Sequence, residues 1–249
     1  MAIIIKSPHE IESMRRAGRV LAELLQVLSR EICPGMKTRE LDRITARELS
    51  RLGAKPSFLG YRGFPGRLCI SINDEIVHGI PGDRVISEGD IVSLDVGAVV
   101  DGFQADSATT VGIGQVSPVA RSLMEAASGA LKAGIAASRK GSRLGDISSA
   151  IQTFVEARGF SVVREYTGHG IGRDMHEDPQ IPNFGQPGEG IELREGMAMA
   201  IEPMVNAGSW RTRVAPNRWT VLTSDGSLSA HFEHTIAVTN GEPDVLTVL

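Results

Sequence analysis

Apolar residues along this chain switch between helical and strand periods, and the switches lay out its elements. Ile11, Met14, Gly18, Leu21, Leu25, Leu28 and Ile32 recur at helical spacing, the stripe of a helix that buries one face. Ser7-Pro8-His9-Glu10 supplies its start, with Ser7 as N-cap, Pro8 at the first helical position and Glu10 closing a capping box. Cys33-Pro34-Gly35 stops it. A second helix is predicted after Thr38, with Leu41, Ile44, Leu49 and Leu52 inward and Gly53 at its end. A loop from Phe58 to Gly66 leads to a strand over Leu68 to Ile72, a turn at Asn73-Asp74, and Ile76-Val77 running into His78-Gly79-Ile80-Pro81.

Between Ile91 and Val111 the β-formers are interrupted only by Asp101-Gly102, the strongest short signal for a two-residue hairpin turn. Such a turn pairs Val100 with Phe103 and Gly97 with Asp106, which sets Asp95 diagonal to Asp106 on one face. Diagonal neighbours lie about 7 to 8 Å apart. A solvent-facing hairpin would account for an isolated pair of this kind; two inward carboxylates would call for a cation between them.

The pattern then repeats. Ser117-Pro118 starts a third helix carrying Val119, Leu123, Ala126, Ala130 and Ile135, and Gly141 precedes a fourth that runs to Gly159. The spacing from Gly35 to Gly53 equals that from Gly141 to Gly159, His78-Gly79-Ile80 recurs as His169-Gly170-Ile171, and Glu88-Gly89 stands before Asp95 as Glu195-Gly196 stands before Glu202. An internal duplication explains these matches. The expectation is one catalytic domain over residues 1–249 made of two pseudo-symmetric halves, about 1–115 and 116–249, sharing one continuous antiparallel sheet with helices on one side. Asp95 and Asp106 would meet His169, Glu202 and Glu233 at its centre, Glu233 lying in a strand from Leu228 to Val238 that partners the one around Glu202.

Composition narrows the setting. With 249 residues, 41% hydrophobic and 22% charged, and a net charge of -4, the chain reads as an ordinary globular protein without a nucleic-acid footprint. The apolar run in Met1-Ala2-Ile3-Ile4-Ile5-Lys6 is too short for a signal peptide, and no later stretch approaches a membrane span. A cytoplasmic location follows by default. Cys33 and Cys69 form no framework, so both are expected reduced.

Four carboxylates and one imidazole carry too much negative charge for one metal and suit two divalent ions, which can share a water, lower its pKa and present hydroxide to a carbonyl. The imidazole moves the preference toward Mn, Fe, Co or Zn. Among the other histidines, His9 reads as an exposed first-turn residue, His78 is singled out by repeating His169, and His176 lies in a Gly-rich loop. His234 should point away from Glu233; His231 shares the face of Glu233 and is expected at most beside the ligands.

Tyr166-Thr167-Gly168-His169-Gly170-Ile171-Gly172-Arg173-Asp174-Met175-His176-Glu177-Asp178-Pro179, Ile201-Glu202-Pro203-Met204-Val205-Asn206 and Phe232-Glu233-His234-Thr235 resemble the motifs of type I methionine aminopeptidases. The Asp95/Asp106 hairpin and Cys69-Ile70-Ser71-Ile72-Asn73 ahead of His78 carry the likeness over nearly the whole chain. The resemblance implies an α+β duplicated pita-bread fold, a central antiparallel sheet with two pairs of helices on its outer side, and removal of the initiator methionine from new proteins whose second residue is small. It implies Asp95, Asp106, His169, Glu202 and Glu233 as ligands of two divalent ions, with Asp106 and Glu233 bridging. His78 would meet the scissile amide nitrogen, His176 the substrate carbonyl, and Glu202 would also accept a proton from water. Tyr61, Phe64, Cys69, Met175 and Trp219 would line the methionine pocket, where a thioether packs well against aromatic edges. Phe58, Phe64 and Met175 depart from residues frequent in the family at these places.

The implied partners are nascent polypeptide N-termini, with a transient ribosome contact, no nucleic-acid substrate, no membrane and a monomeric state. Prolidase and aminopeptidase P share the fold and ligand set but carry a large extra amino-terminal domain. A metal-free binding protein on the same fold would have lost ligands, whereas all five positions here hold competent residues. The chain also lacks the zinc-finger-like extension of some eukaryotic members, so the short bacterial form is expected.

Overall fold

The computed structural model describes residues 3–249, so Met1 and Ala2 of the amino-terminal apolar run lie outside the described residues. Helix α1 spans Pro8–Glu31, and its capping box forms as the sequence predicts, Ser7 accepting from the Glu10 N–H while Glu10 accepts from the Ser7 N–H. Its buried face centres on Met14, Ala17, Leu21, Leu24 and Leu28, rotated from the predicted stripe so that Ile11 and Leu25 are only half-buried. Helix α2 (Thr38–Arg51) starts with Glu40 accepting from the Lys37 N–H. Helix α3 (Pro118–Ala137) is capped by Ser117, and helix α4 (Leu144–Glu156) opens with Asp146 accepting from the Arg143 N–H. Val119, expected inward, is exposed at the second position of α3. Ala120, the next residue, takes the core-facing position instead.

The hairpin forms in the predicted register: Val100 opposite Phe103, Gly97 opposite Asp106, and Asp95 opposite Ala108. Asp101 and Gly102 have φ of 51° and 77°, the two positive values of the turn whose twist matches the flanking strands. These strands, Ile91–Val100 and Phe103–Gly112, belong to a nine-stranded sheet. Phe103–Gly112 is followed across it by Glu233–Ala237, Ala198–Ile201, Thr167–Gly170 and Glu177–Pro182. Leu68–Ile72 pairs with the other side of Ile91–Val100, and all these pairings are antiparallel.

The antiparallel sheet shared by both halves forms as predicted, but one of its predicted strands does not run unbroken. The predicted strand from Leu228 to Val238 is two strands, Ser229–His231 and Glu233–Ala237, in different sheets. Its partner breaks at the same level, into Ala198–Ile201 and Met204–Asn206. Pro203 has no N–H for the ladder, and the chain crosses there with the Phe232 N–H donating to the Pro203 carbonyl at 3.4 Å. Two further three-stranded sheets result, one from Ser229–His231, Met204–Asn206 and Ser161–Val162, the other from Thr212–Val214, Val221–Thr223 and Glu75–Val77.

Each helix pair has its own core. Leu21, Leu24 and Leu28 of α1 and Leu41 of α2 cluster with Leu94, Val96 and Ala105 of the hairpin. Leu123 and Ala130 of α3 and Ile147 and Ile151 of α4 cluster with Met199, Ile201 and Ile236. The two assemblies join where Phe103–Gly112 pairs with Glu233–Ala237. Glycines matched in the sequence repeat share backbone conformations: φ is 89° at Gly35 and 87° at Gly141, 88° at Gly89 and 85° at Gly196. No helix among the described residues is long and apolar enough to cross a membrane.

Candidate metal centre

Strand alternation decides which way the acids face. Leu94 and Val96 enter the core under α1, so Asp95 between them turns to the opposite, helix-free side. Asp106, opposite Gly97, lies on that side too, and Glu233 stands opposite Ala108 on the adjoining strand. His169 pairs with Ala200 one strand further on, and Glu202 occupies the break between Ala198–Ile201 and Met204–Asn206.

These five line one cavity of about 130 Å³ together with His78, His176, Tyr61, Phe64, Cys69, Met175 and Trp219. Every residue that the sequence singles out for the site is therefore at this cavity. Phe58, marked in the sequence only as a departure touching the pocket, lines it as well, and so do Arg62, Val77 and His231. Nothing in the sequence marks Arg62 or Val77. His231 has a signal in its shared strand face with Glu233, and it packs with Nε2 3.6 Å from Glu202 Oε2.

The charges are in an unfavourable medium. Burial pushes Asp95 up to about 7. It raises Asp106, Glu202 and Glu233 well above the usual carboxylate range, with neighbouring carboxylates adding to the rise at Asp106 and Glu233. Burial, then the adjacent His176, pulls His169 down to about 3, so its ring is neutral. His169 Nδ1 lies 2.8 Å from the Gly170 carbonyl, which can only accept, so Nδ1 carries the proton and Nε2 presents a lone pair. That lone pair faces Glu202 Oε1 at 3.6 Å and Asp106 Oδ2 at 3.9 Å.

Acceptors facing acceptors call for a proton or a metal cation between them. Asp95 Oδ1 and Glu233 Oε1 are buried with no hydrogen-bond partner, and ligand atoms of Asp106, His169 and Glu233 all lie within 4.8 Å of one another. Carboxylates with an imidazole form a donor set for divalent cations of the first transition row. The residues present fit such ions.

The rest of the cavity is built around two more imidazoles. His78 sits at φ 60°, a left-handed conformation uncommon for residues with a side chain, at the end of Glu75–Val77. Gly79 follows because a Cβ there would fall 1.9 Å from the Ile70 carbonyl oxygen. The His78 ring meets Tyr166 and Trp219 edge-on at 5.9 and 6.4 Å, and burial, followed by His231 and His176, pulls it down to about 4. His176 stacks on Tyr61, whose hydroxyl lies 2.8 Å from His176 Nδ1, and its ring centroid is 4.2 Å from that of His169. Phe64 and Trp219 pack edge to face at 5.1 Å beside Met175 and Cys69, both buried. His234, which strand alternation predicts to point elsewhere, bonds Thr247 Oγ1 through Nδ1 at 2.7 Å, and a groove between α1 and α3 runs past it.

The model of metallopeptidase family M24 matches residues 12–240. Methionine aminopeptidase 1 of Bacillus subtilis is 51% identical over 245 residues, covering 98% of this chain and 99% of the relative. Methionine aminopeptidase of Clostridium perfringens is 49% identical over 247 residues, 99% of each. The crystal structure of methionine aminopeptidase from Thermotoga maritima superposes with a TM-score of 0.98 at 45% identity, covering 100% of both chains. Prolidase from Pyrococcus furiosus shares the fold alone, with a TM-score of 0.80, 23% identity, and 66% of its own length covered. With the pita-bread fold and identities of this size over its whole length, the chain belongs to metallopeptidase family M24, among the methionine aminopeptidases.

Proposed function

We propose that this protein is a cytoplasmic, monomeric aminopeptidase that hydrolyses the initiator methionine from nascent polypeptides whose second residue is small. The observation that carries the reading is the set of buried acids around the neutral His169, with unpartnered oxygens on Asp95 and Glu233, beside an apolar pocket. Divalent metal ions are the family's cofactor. In this reading Asp95, Asp106, His169, Glu202 and Glu233 would hold two, drawn from Co, Mn, Fe and Zn, and Asp106 and Glu233 would serve both. When bound, such ions lower the pKa of water and polarise the substrate carbonyl.

The chain's own groups complete the chemistry. Glu202 accepts the proton of the attacking water. With the Tyr61 hydroxyl donating to His176 Nδ1, Nε2 carries the remaining proton and donates it in a hydrogen bond to the carbonyl oxygen as negative charge develops there. His78 faces the scissile amide nitrogen and supplies the hydrogen bond that the leaving amine needs. The methionine side chain packs among Tyr61, Phe64, Cys69, Met175 and Trp219. Phe64 in place of tyrosine makes this wall more apolar, and Met175 in place of an aromatic makes it more adaptable.

The proposal treats residues 1–249 as one catalytic unit of two related halves, about 1–115 and 116–249, with a transient ribosome contact during synthesis. Its test is release of methionine from Met-Ala and Met-Leu peptides by chelator-treated protein refilled with Co, Mn, Fe or Zn. Release from Met-Ala but not Met-Leu, with two ions bound at full activity, is the expected result. Absence of release with every metal overturns it.

A further inference from the structure

Residues 171–176 join Thr167–Gly170 to Glu177–Pro182 and carry Met175 and His176 into the cavity. The residue that closes this segment, Glu177, is engaged on both oxygens. Oε1 accepts from the backbone N–H groups of Arg173 at 3.0 Å and Asp174 at 3.4 Å. Oε2 pairs with Lys6 Nζ, and the two side chains are only 4% and 5% exposed. Lys6 is itself fixed: Nζ donates to the Ile4 carbonyl at 3.1 Å, and its backbone N–H donates to the Gly196 carbonyl at 2.8 Å, at the turn leading into the strand before Glu202. Gly172 leaves the room, since a Cβ there would lie 2.5 Å from both Glu177 Oε1 and Lys6 Cε.

A buried ion pair returns little net stability, because desolvating both charges offsets most of their attraction. What it does confer is position. The ammonium fixes where the Glu177 carboxylate sits, and that carboxylate fixes the backbone of residues 173 and 174, just ahead of His176. We propose that the Lys6–Glu177 pair is a positioning device for His176, by which the segment ahead of α1 holds the carbonyl-binding imidazole in register with the metal ligands. It rests on the role of His176 proposed above. A misplacement of about 1 Å in a reacting geometry costs on the order of 100-fold in rate, so residues that never touch substrate can govern turnover.

The test uses full-length Lys6→Met, and Lys6→Met/Glu177→Gln, which leaves no unpaired buried charge and keeps a side-chain oxygen at 177. Each is made in the parent and in the His176→Ala background. Lys6→Met is expected to lower kcat at least about tenfold, with KM and bound divalent metal at parental values. In the His176→Ala background it should cause no further loss. Amide exchange at residues 173 and 174 of the metal-free protein should quicken about tenfold while the amides of Leu21 and Leu24 in α1 are unchanged. Parental kcat, an equal loss in the His176→Ala background, or unchanged exchange at 173 and 174 each overturns the proposal. If Lys6→Met does not fold, the double variant takes its place, with the same changes expected and the same results overturning the proposal. Exchange is read without turnover, so a protein inert toward methionine peptides would refute the function while the Lys6 staple is still tested by exchange.

Discussion

The Thr235 hydroxyl holds Asp106 by both ends of its peptide: Oγ1 accepts from the Asp106 N–H at 2.9 Å and donates to the Asp106 carbonyl at 2.8 Å. Two residues before it on the same strand lies Glu233, whose carbonyl accepts from Ser107 Oγ at 2.9 Å. The strands bearing the two acids proposed as shared ligands are thus fastened by side chains as well as by ladder bonds, across the junction of the two helix-covered halves.

Thr235→Val keeps the shape and removes both bonds, leaving a buried N–H and C=O of Asp106 unsatisfied. Stability should fall by about 1–3 kcal/mol, and divalent metal affinity should fall with it. Thr235→Ser should restore most of both. Denaturant unfolding and metal titration of the three proteins check this; undiminished affinity in the valine variant would dissociate the fastening from the metal centre.

Removing the metal should expose a pH dependence with a definite sign. Unfolded carboxyls ionise near pH 4 and unfolded imidazoles near 6.5, to about a unit. Below about pH 7.5 two trends oppose each other. The depressed histidines, His78 at about 4 and His169 at about 3, give stability present above the unfolded imidazole pKa and lost as pH falls through those values. The raised carboxyls give stability that is lost as pH rises. Above about pH 7.5 the imidazoles are neutral in both states and drop out. There Asp95, near about 7, is still giving up the proton that the unfolded chain released at about pH 4, and the raised carboxyls of Asp106, Glu202 and Glu233 act in the same direction. The melting temperature of chelated protein should therefore fall from about pH 7.5 upward, and divalent ions should remove that slope. A metal-free protein with a flat profile above about pH 7.5 would contradict the burial of these charges.

Asp106→Ala should abolish metal loading and turnover together, since Asp106 shares the ligand cluster with both His169 and Glu233. His78→Ala should separate them: both ions bind as before, while kcat falls about 100-fold or more. Elemental analysis beside steady-state kinetics distinguishes the cases, and metal loss in the His78 variant would move that residue into the ligand set.

Tyr61→Phe keeps the ring stacked on His176 and removes the hydroxyl from Nδ1. With the tautomer no longer set, kcat should drop about tenfold while KM for a methionine peptide changes little. A rise in KM alone would make Tyr61 purely a wall of the methionine pocket.

Much of this is local enough to be legible in the chain. Ser7 and Glu10 form their capping box from residues three apart, and Asp101-Gly102 sets a turn whose register places Asp95 and Asp106 without reference to anything else. Once strand alternation sends Leu94 and Val96 into the core, the side of Asp95 is decided. The repeated His-Gly-Ile and the motifs around Glu202 and Glu233 bring in the remaining proposed ligands. The break of the strand pair at Pro203 and Phe232 is not legible, because a proline can sit at a sheet edge as readily as at a crossing. Only pairing with Ser161–Val162 and Glu233–Ala237 on different sheets selects the crossing.

The set of elements, the hairpin face and the identity of the acids and imidazoles are thus written locally, since each depends on spacings of a few residues and on backbone stereochemistry. Tertiary structure alone decided how those groups meet. His231 comes to 3.6 Å from Glu202, Tyr61 reaches His176 across more than a hundred residues, and Lys6 closes on Glu177 from the other end of the chain. No local rule brings such partners together; they meet because the two helix-covered cores pack against the two halves of one nine-stranded sheet.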